Sequence, residues 1–181
     1  VAAIGAGLDI FKPRGSMVID MGGGTSDIAI LSLGDIVSSR SIRMAGDKLN
    51  NDIAAYIKDK HGLVIGEHTA ENIKMKIGTA LKVEKPAEMD VRGRDVASGM
   101  PKQITVNENE IEEAIHDTLE QILAATINVL ETVPPELASD IIDRGVMLTG
   151  GTALLKGIDK LFSDRLKVPV VVSQSPLDNV A

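Results

Sequence analysis

Three consecutive glycines, residues 22–24, stand between an acidic and a hydroxyl residue near the start of this 181-residue chain. The surrounding residues predict a strand, a tight turn and a second strand, with Asp20 ending the first strand and Thr25 following the glycines. Glycines let a bulky ligand approach the backbone, and successive N–H groups in such a turn form a concave anion site. A carboxylate at a strand end can hold a hydrated Mg²⁺. The pattern therefore indicates binding of a phosphate chain and its metal ion.

A second glycine turn lies far downstream, where Gly150, Gly151 and Thr152 follow the apolar residues 146–148. This pattern is typical of a buried strand that leads into a helix. Ligands of α/β sheets bind beyond the carboxyl ends of strands, and a helix N-terminus favours anions. Taken alone, the turn is better explained as a plain strand-to-helix connection. The two turns together indicate one ligand bound across the end of a sheet.

The composition and the missing motifs exclude several classes of function. No pair of glycines spaced by four residues leads into Lys-Ser or Lys-Thr, so the chain has no P-loop. A net charge of −7 and three aromatic residues argue against nucleic-acid binding, which needs basic surface and stacking platforms. The absence of cysteine excludes disulfides and thiolate metal sites. No apolar run approaches the ~18 residues of a membrane-spanning helix.

The first half of the chain changes from strand to helix periodicity near residue 45. Strands are predicted at 16–20, 26–33 and 36–43, with Gly34-Asp35 as the tight turn between the last two. Further elements are a helix with Leu49, Ile53 and Ile57 on its apolar face that ends near residues 60–62, a helix from Thr69 to Leu81 with Thr69 as N-cap, and short strands near 86–92, 95–97 and 102–106.

The second half predicts mostly helix and two further strands. Asn107 and Glu110 have the spacing of a capping box. The longest helix follows until Pro134-Pro135 ends it, and one face of it carries Ile111, Ile115, Leu119, Ile122, Thr126 and Val129. The remaining predicted elements are a short helix from Pro135 to about Asp140, a strand at 146–148, a helix over most of 152–166 and a strand at 168–173.

These elements predict an α/β fold with a mixed sheet flanked by helices. The main subdomain comprises 1–44 and 108–181, and 45–107 form a smaller inserted α+β subdomain. Strand 146–149 should lie beside strand 16–20, which brings both glycine turns to one sheet edge. The chain opens without Met on the last turn of a helix, so we expect a fragment of a longer, two-lobed protein.

Several motifs carry a resemblance to a known family. Val18–Ile30 resembles the second phosphate motif, and Gly145–Ile158 the adenosine motif, of the actin, chaperone and sugar-kinase ATPase superfamily. Residues 44–47, 65–71 and 134–142 narrow the resemblance to the MreB/Mbl family of bacterial actins, the rod shape-determining proteins. The resemblance covers essentially all of the chain. It implies the second, C-terminal lobe of an actin-like ATPase, with a ribonuclease H-like fold.

The resemblance also implies roles for individual residues. Asp20 would hold Mg²⁺ through water, and the β- and γ-phosphates of ATP or ADP would bind at Gly22, Gly23, Gly24 and Thr25. Gly150, Gly151 and Thr152 would contact the adenosine. Glu71 and Lys74, one helical turn apart, would reach the ribose and base, although a solvated surface pair explains their spacing equally well. The catalytic residue is unknown, because the hydrolytic glutamate of the family would lie before Val1.

The function implied is that of a filament-forming bacterial actin. Such a protein organises cell-wall synthesis and rod shape, and its full-length filament lies in the cytoplasm against the membrane. The expected partners are further copies of the chain, joined head to tail, and membrane proteins of wall synthesis such as RodZ; no direct membrane contact is expected from this part. The full-length protein would be an ATPase, and the fragment inactive. The alternative is a lobe of a sugar kinase or chaperone ATPase, although no base for a sugar hydroxyl is evident.

Overall fold

The computed structural model describes residues 1–179, which form two compact units. The larger unit comprises Val1–Gly46, Glu120–Leu154 and the chain from Ile158 onward, and the smaller comprises Asp47–Leu119 and Leu155–Gly157. The strands are β1 (Ser16–Met21), β2 (Ser26–Ser32), β3 (Asp35–Ile42), β4 (Leu63–Val64), β5 (Glu88–Asp95), β6 (Pro101–Asn107), β7 (Val146–Thr149) and β8 (Val170–Val172). The helices are α1 (Ala2–Gly5), α2 (Gly46–His61), α3 (Glu67–Ile77), α4 (Glu108–Glu131), α5 (Pro135–Arg144) and α6 (Ile158–Leu166), with a 3-10 helix at Gly151–Leu154.

The larger unit is built on a five-stranded mixed sheet of order β3-β2-β1-β7-β8. The first three strands form an antiparallel meander, whereas β7 pairs parallel with both β1 and β8. The central strand β1 is buried along nearly its whole length, as expected for a strand covered on both faces. The predicted pairing of the strand near 146 with the strand near 16 is confirmed.

The smaller unit contains a three-stranded antiparallel sheet of order β4-β5-β6 together with α2 and α3. The predicted apolar face of α2 is confirmed, since Leu49, Ile53 and Ile57 are fully buried. In the prediction, the inserted part ended at residue 107, whereas α4 contributes residues up to Leu119 to this unit and residues from Glu120 to the larger one.

The start of α4 has the predicted capping box. The Asn107 side-chain oxygen accepts a hydrogen bond from the Glu110 N–H (3.1 Å), and the Glu110 carboxylate accepts one from the Asn107 N–H (3.0 Å). The apolar face predicted for this helix is buried from Ile111 to Val129. Local capping chemistry and periodicity therefore set both the start and the orientation of the longest helix.

The predicted tight turn at Gly34-Asp35 is one residue too late. The two residues with positive φ are Leu33 (53°) and Gly34 (82°), and β3 already begins at Asp35. Two residues with positive φ match the twist of the paired strands, so Leu33 and Gly34 form the centre of the turn.

The prediction of α3 is wrong at both ends. The helix begins after Gly66, not at Thr69, and ends at Ile77 before Gly78. Beyond that point the backbone pairs with a distant segment: Thr79 bridges Lys156, and the Ala80 N–H donates to the Lys156 carbonyl (2.8 Å). Because these groups are bonded outside the helix, the helix cannot continue to Leu81.

The same pairing interrupts the helix that was predicted over 152–166. A 3-10 turn ends at Leu154, Gly157 takes a positive φ of 76°, and α6 begins only at Ile158. The separate strand predicted at 95–97 is also wrong, because Asp95 ends β5 and its carboxylate accepts hydrogen bonds from Ser98 in the following turn. The short strand β4 was not predicted, and α5 continues to Arg144.

Candidate functional site

The two glycine turns lie together at one edge of the five-stranded sheet. In the parallel pairing of β1 with β7, Asp20 lies opposite Thr149, so the chain enters both turns at the same level. A cavity of about 360 Å³ opens between them. It is lined by Asp20, Gly22, Thr25, Asp27, Gly150, Gly151, Pro176 and Leu177.

The first turn is a two-residue hairpin loop with open space beside it. The Gly22 N–H donates to the Thr25 carbonyl (3.0 Å), which leaves Gly23 and Gly24 as the loop. A Cβ added at Gly24 would meet no atom within 4 Å, and one at Gly22 would make only an ordinary contact of 3.6 Å. The packing of this unit does not fill the space in front of these glycines, so a ligand can approach the backbone there.

The second turn is tightly packed by the protein itself. Gly150 has a φ of +86°, and a Cβ there would lie 2.3 Å from the Met21 carbonyl oxygen and 2.7 Å from an Asp20 carboxylate oxygen. Only glycine fits this position without displacing β1. The Gly150 N–H donates to the Pro176 carbonyl (2.9 Å), so it is already occupied.

A side-chain hydrogen bond joins the two turns. The Thr152 hydroxyl, almost fully buried, donates to the Gly22 carbonyl (3.0 Å), which also accepts the Gly46 N–H (3.0 Å). Thr152, predicted from the resemblance as an adenosine contact, thus has a bonded hydroxyl and lies outside the cavity lining. The bond holds the first turn at a set distance from the start of the 3-10 helix.

Two carboxylates face each other across the first hairpin. Asp20 on β1 pairs with Asp27 on β2, and the Thr25 hydroxyl donates to the Asp27 carboxylate (3.1 Å). Burial, and next the charge of Asp27, raise the pKa of Asp20. Like charges directly opposite each other on a sheet repel, and a cation between them would relieve that repulsion.

These groups fit a hydrated cation better than a cage of protein ligands. No group of three or more metal-ligating side chains occurs within residues 1–179. Mg²⁺ usually keeps several waters and takes one or two carboxylates, and Asp20 with Asp27 offers that number. The residues present therefore fit an Mg²⁺ held through water, with Asp20 as the predicted contact.

Glu71 and Lys74 lie on α3, in the smaller unit. Glu71 is exposed and Lys74 is half-buried. Burial lowers the pKa of Lys74, and the negative charges of Glu71 and Asp47 oppose this effect. Their role as ribose and base contacts stays a prediction.

The cavity includes three residues that the sequence analysis did not identify: Asp27, Pro176 and Leu177. Asp27 could have been found by counting, because a two-residue loop at 23–24 pairs residue 22 with 25 and hence 20 with 27. Pro176 and Leu177 carried no such signal, since only the fold returns the chain after β8 to the end of β7.

The sheet order and the paired glycine turns define the class of the larger unit as a ribonuclease H-like lobe of the actin-like ATPase type. MamK, solved as a double helical filament, shares this fold at a TM-score of 0.79 over 97% of the chain, with 19% identity. MreB5 of Spiroplasma citri, solved with ADP and with AMPPNP, is closer, with a TM-score of 0.96 and 42% identity over 99% of the chain and 54% of that protein.

The sequence comparisons give the family directly. The profile of the family described as MreB/Mbl protein matches residues 1–181, and the chain belongs to this family. It is 55% identical to the cell shape-determining protein Mbl of Bacillus subtilis and 48% identical to the cell shape-determining protein MreB of Escherichia coli K12. These matches cover 100% and 99% of the chain but 54% and 52% of the relatives, so the chain spans about half their length. Membership in this family supports the bacterial-actin interpretation over the sugar-kinase alternative.

Proposed function

We propose that this chain is the nucleotide-binding lobe of a filament-forming bacterial actin that organises cell-wall synthesis and rod shape. ATP or ADP would lie across the ends of β1 and β7, with the phosphates at residues 22–25 and the adenosine beside Gly150 and Gly151. The observation that carries this proposal is the cavity that Gly22 and Thr25 of the first turn line together with Gly150 and Gly151 of the second. ADP and AMPPNP in the structures of MreB5 support the choice of ligand.

The lobe's own groups would do two things to a bound phosphate chain. The hairpin loop would present backbone N–H groups to the phosphate oxygens, because glycine leaves this backbone accessible. The Asp20 and Asp27 carboxylates would hold the water shell of Mg²⁺, which supplies positive charge to the phosphates when it is bound. The bonds of the Gly22 carbonyl to Thr152 and Gly46 would keep the loop in place.

The 181-residue chain alone should bind the nucleotide weakly. In the family the nucleotide lies in a cleft between two lobes, and phosphoryl transfer depends on charge stabilisation from several sides at once. We expect a dissociation constant of ~0.1 mM or weaker for Mg-ATP, on the order of 5 kcal/mol of binding, and negligible hydrolysis. Titration calorimetry beside a phosphate-release assay measures both. Micromolar affinity or steady turnover would show that this chain alone supplies the charge-stabilising groups that we assign in part to a second lobe.

Assembly is the second part of the proposed function. We expect full-length protomers to join head to tail, with the smaller unit contributing one half of the contact, and the filament to lie in the cytoplasm at the membrane with partners such as RodZ. A heterologous contact does not close on itself and therefore yields filaments. Within residues 1–179, no helix has the length and apolar character needed to span a bilayer.

Charge reversal in the smaller unit tests this contact. Lys85 and Arg94 are exposed in the 84–102 region, and Lys160 on α6 of the larger unit, which is also exposed, serves as the control. In full-length protein, Lys85→Glu with Arg94→Glu should lower the ATP-dependent pellet in sedimentation, whereas Lys160→Glu should not. An unchanged pellet for the double variant, with its melting temperature preserved, would place the contact elsewhere.

A further inference from the structure

We propose that Asn179 is a positioning residue that clamps residues 174–179, here termed the strap, so that Leu177 forms an apolar wall for the nucleoside part of the ligand. This inference rests on the proposed nucleotide-binding function and deepens it. The strap follows β8 and crosses the end of β7, where Pro176 and Leu177 line the cavity.

The strap has one exposed apolar side chain and one buried polar side chain. Leu177 is 68% exposed, and it lies so close to the second turn that a Cβ on Gly151 would be 3.3 Å from its Cδ2. Asn179, two residues later, is only 5% exposed. Leu177 differs from other exposed apolar residues in lining the cavity, and pockets for small organic ligands are lined largely by apolar side chains.

Backbone hydrogen bonds fix the position of the middle of the strap. The Pro176 carbonyl accepts the N–H of Gly150 (2.9 Å), and the Asp178 N–H donates to the Ser175 carbonyl (3.1 Å), which closes a turn around Pro176 and Leu177. The wall is therefore attached directly to the glycine that must pack against β1.

The Asn179 side chain holds the end of the strap through four hydrogen bonds. Its amide orientation follows from its partners, because the carbonyls of Gly5 and Ser175 can only accept. The side-chain NH₂ donates to both of these carbonyls at 3.0 Å, and the side-chain oxygen accepts from the hydroxyls of Thr149 (2.7 Å) and Ser173 (2.6 Å).

Asparagine is the residue type that satisfies this set of partners, since it offers two donors and an oxygen with two lone pairs on one short side chain. Aspartate would face the two carbonyls with no donor, and alanine would leave all four groups without their partner. The crossing is also tight, because a Cβ on Gly5 would lie 2.2 Å from the Asn179 carbonyl oxygen. A clamp of this kind ties the strap to α1, β7 and the end of β8 at once.

The phosphate and nucleoside parts of the ligand would contact different segments of the lobe. The phosphates would contact residues 22–25, to which Asn179 makes no hydrogen bond, whereas the nucleoside would contact the Leu177 wall. Loss of the clamp should therefore weaken binding of ADP and leave binding of pyrophosphate, which has no nucleoside, unchanged. General destabilisation of the lobe would weaken both ligands alike.

The experiment compares Asn179→Ala and Leu177→Ala in the 181-residue chain, with Leu154→Ala as the matched control. Leu154 is 59% exposed and lies outside the cavity lining. In the presence of Mg²⁺, we expect a three- to tenfold loss of ADP affinity in the first two variants, a change of less than twofold for pyrophosphate, and no change for either ligand in the control. Equal losses of affinity for ADP and pyrophosphate, or no loss of ADP affinity in Leu177→Ala, would contradict the proposal that Leu177 contacts the nucleoside.

Amide hydrogen exchange tests the clamp without any ligand. The Gly150 N–H should exchange faster in Asn179→Ala than in the unaltered chain, because its acceptor on Pro176 is released, and at an unchanged rate in Leu177→Ala. Asn179→Asp, which keeps the side-chain shape, serves where the alanine variant does not fold and should show the same faster exchange. Unchanged exchange at Gly150 in a folded Asn179 variant would overturn the clamp, whereas failure of the unaltered chain to bind ADP would overturn the proposed function.

Discussion

The two glycine turns at the end of the sheet use glycine for opposite reasons. At Gly150 the protein occupies the space, because φ is +86° and a Cβ would lie 2.3 Å from the Met21 carbonyl. At Gly24 the φ is not in the left-handed region, and a Cβ would meet nothing within 4 Å. The fold therefore requires glycine in the second turn, whereas the first turn keeps a space that the fold does not need. A ligand at residues 22–25 is proposed because Gly22 and Thr25 also line the cavity that the second turn borders.

The largest effect should come from Gly150→Ala. Its methyl group would strain a left-handed backbone and collide with β1, so we expect the free energy of unfolding to fall by about 3 kcal/mol. Urea unfolding followed by circular dichroism measures this, with Gly24→Ala as the matched variant. Equal losses of stability in the two variants would remove the contrast between the turns.

Gly24→Ala should instead affect binding. We expect its free energy of unfolding to stay within ~0.5 kcal/mol of the unaltered chain, as for surface changes away from packed groups. Its affinity for Mg-ADP should drop about tenfold, or ~1.4 kcal/mol, because the methyl group would occupy space that we propose for phosphate. Calorimetric titration decides the matter, and an unchanged ADP affinity would leave the open turn without a function.

The hydrogen bond from the Thr152 hydroxyl to the Gly22 carbonyl should contribute less to the free energy of unfolding than the fit of Gly150 against β1. Thr152→Val removes the donor to the Gly22 carbonyl but keeps the side-chain volume, and the Gly46 N–H still satisfies that carbonyl. We expect a loss of about 1 kcal/mol in the free energy of unfolding. Thr152→Ser keeps the hydroxyl and should retain more stability than the valine variant in urea unfolding. A serine variant as unstable as the valine variant would show that packing, not the hydrogen bond, joins the turns.

The smallest effect concerns pH and Asp20. Burial and the Asp27 charge raise the pKa of Asp20, so the folded protein holds this proton more tightly than the unfolded chain. The resulting stabilisation is complete below the ordinary aspartate pKa and is lost as the pH rises through the raised pKa. Asp20→Asn cannot ionise, so its nucleotide-free melting temperature should exceed that of the unaltered chain near pH 7, and the difference should shrink toward pH 4.

Two further observations check the Asp20 prediction. Added Mg²⁺ should raise ADP affinity in the unaltered chain more than in Asp20→Asn, because the carboxylate holds the water shell of the ion. Thermal melts at several pH values supply the other comparison. An Asp20→Asn variant that melts below the unaltered chain near pH 7, with the gap closing as the pH falls, would show that the fold stabilises the Asp20 carboxylate, contrary to its raised pKa.

Much of the local structure could be predicted from the residues. The Asn107–Glu110 capping box and the buried faces of α2 and α4 follow from short-range chemistry and periodicity, and both are present. The C-terminal end of α3 and the break before α6 could not be predicted, because the pairing of Thr79 with Lys156 decides both. That pairing joins backbone groups far apart in the sequence, and no local pattern encodes it.

The candidate site divides in the same way. The sequence by itself determined that glycines follow two strands and that Asp20 and Thr25 stand beside the first of them, because strand periodicity and turn composition are local properties. Only the tertiary structure decided that β1 and β7 pair in parallel, that the Thr152 hydroxyl reaches the Gly22 carbonyl 130 positions away, and that the Asn179 side chain bonds to Gly5 and Thr149. These contacts arise when buried polar groups from distant segments satisfy one another, and their partners exist only in the folded chain.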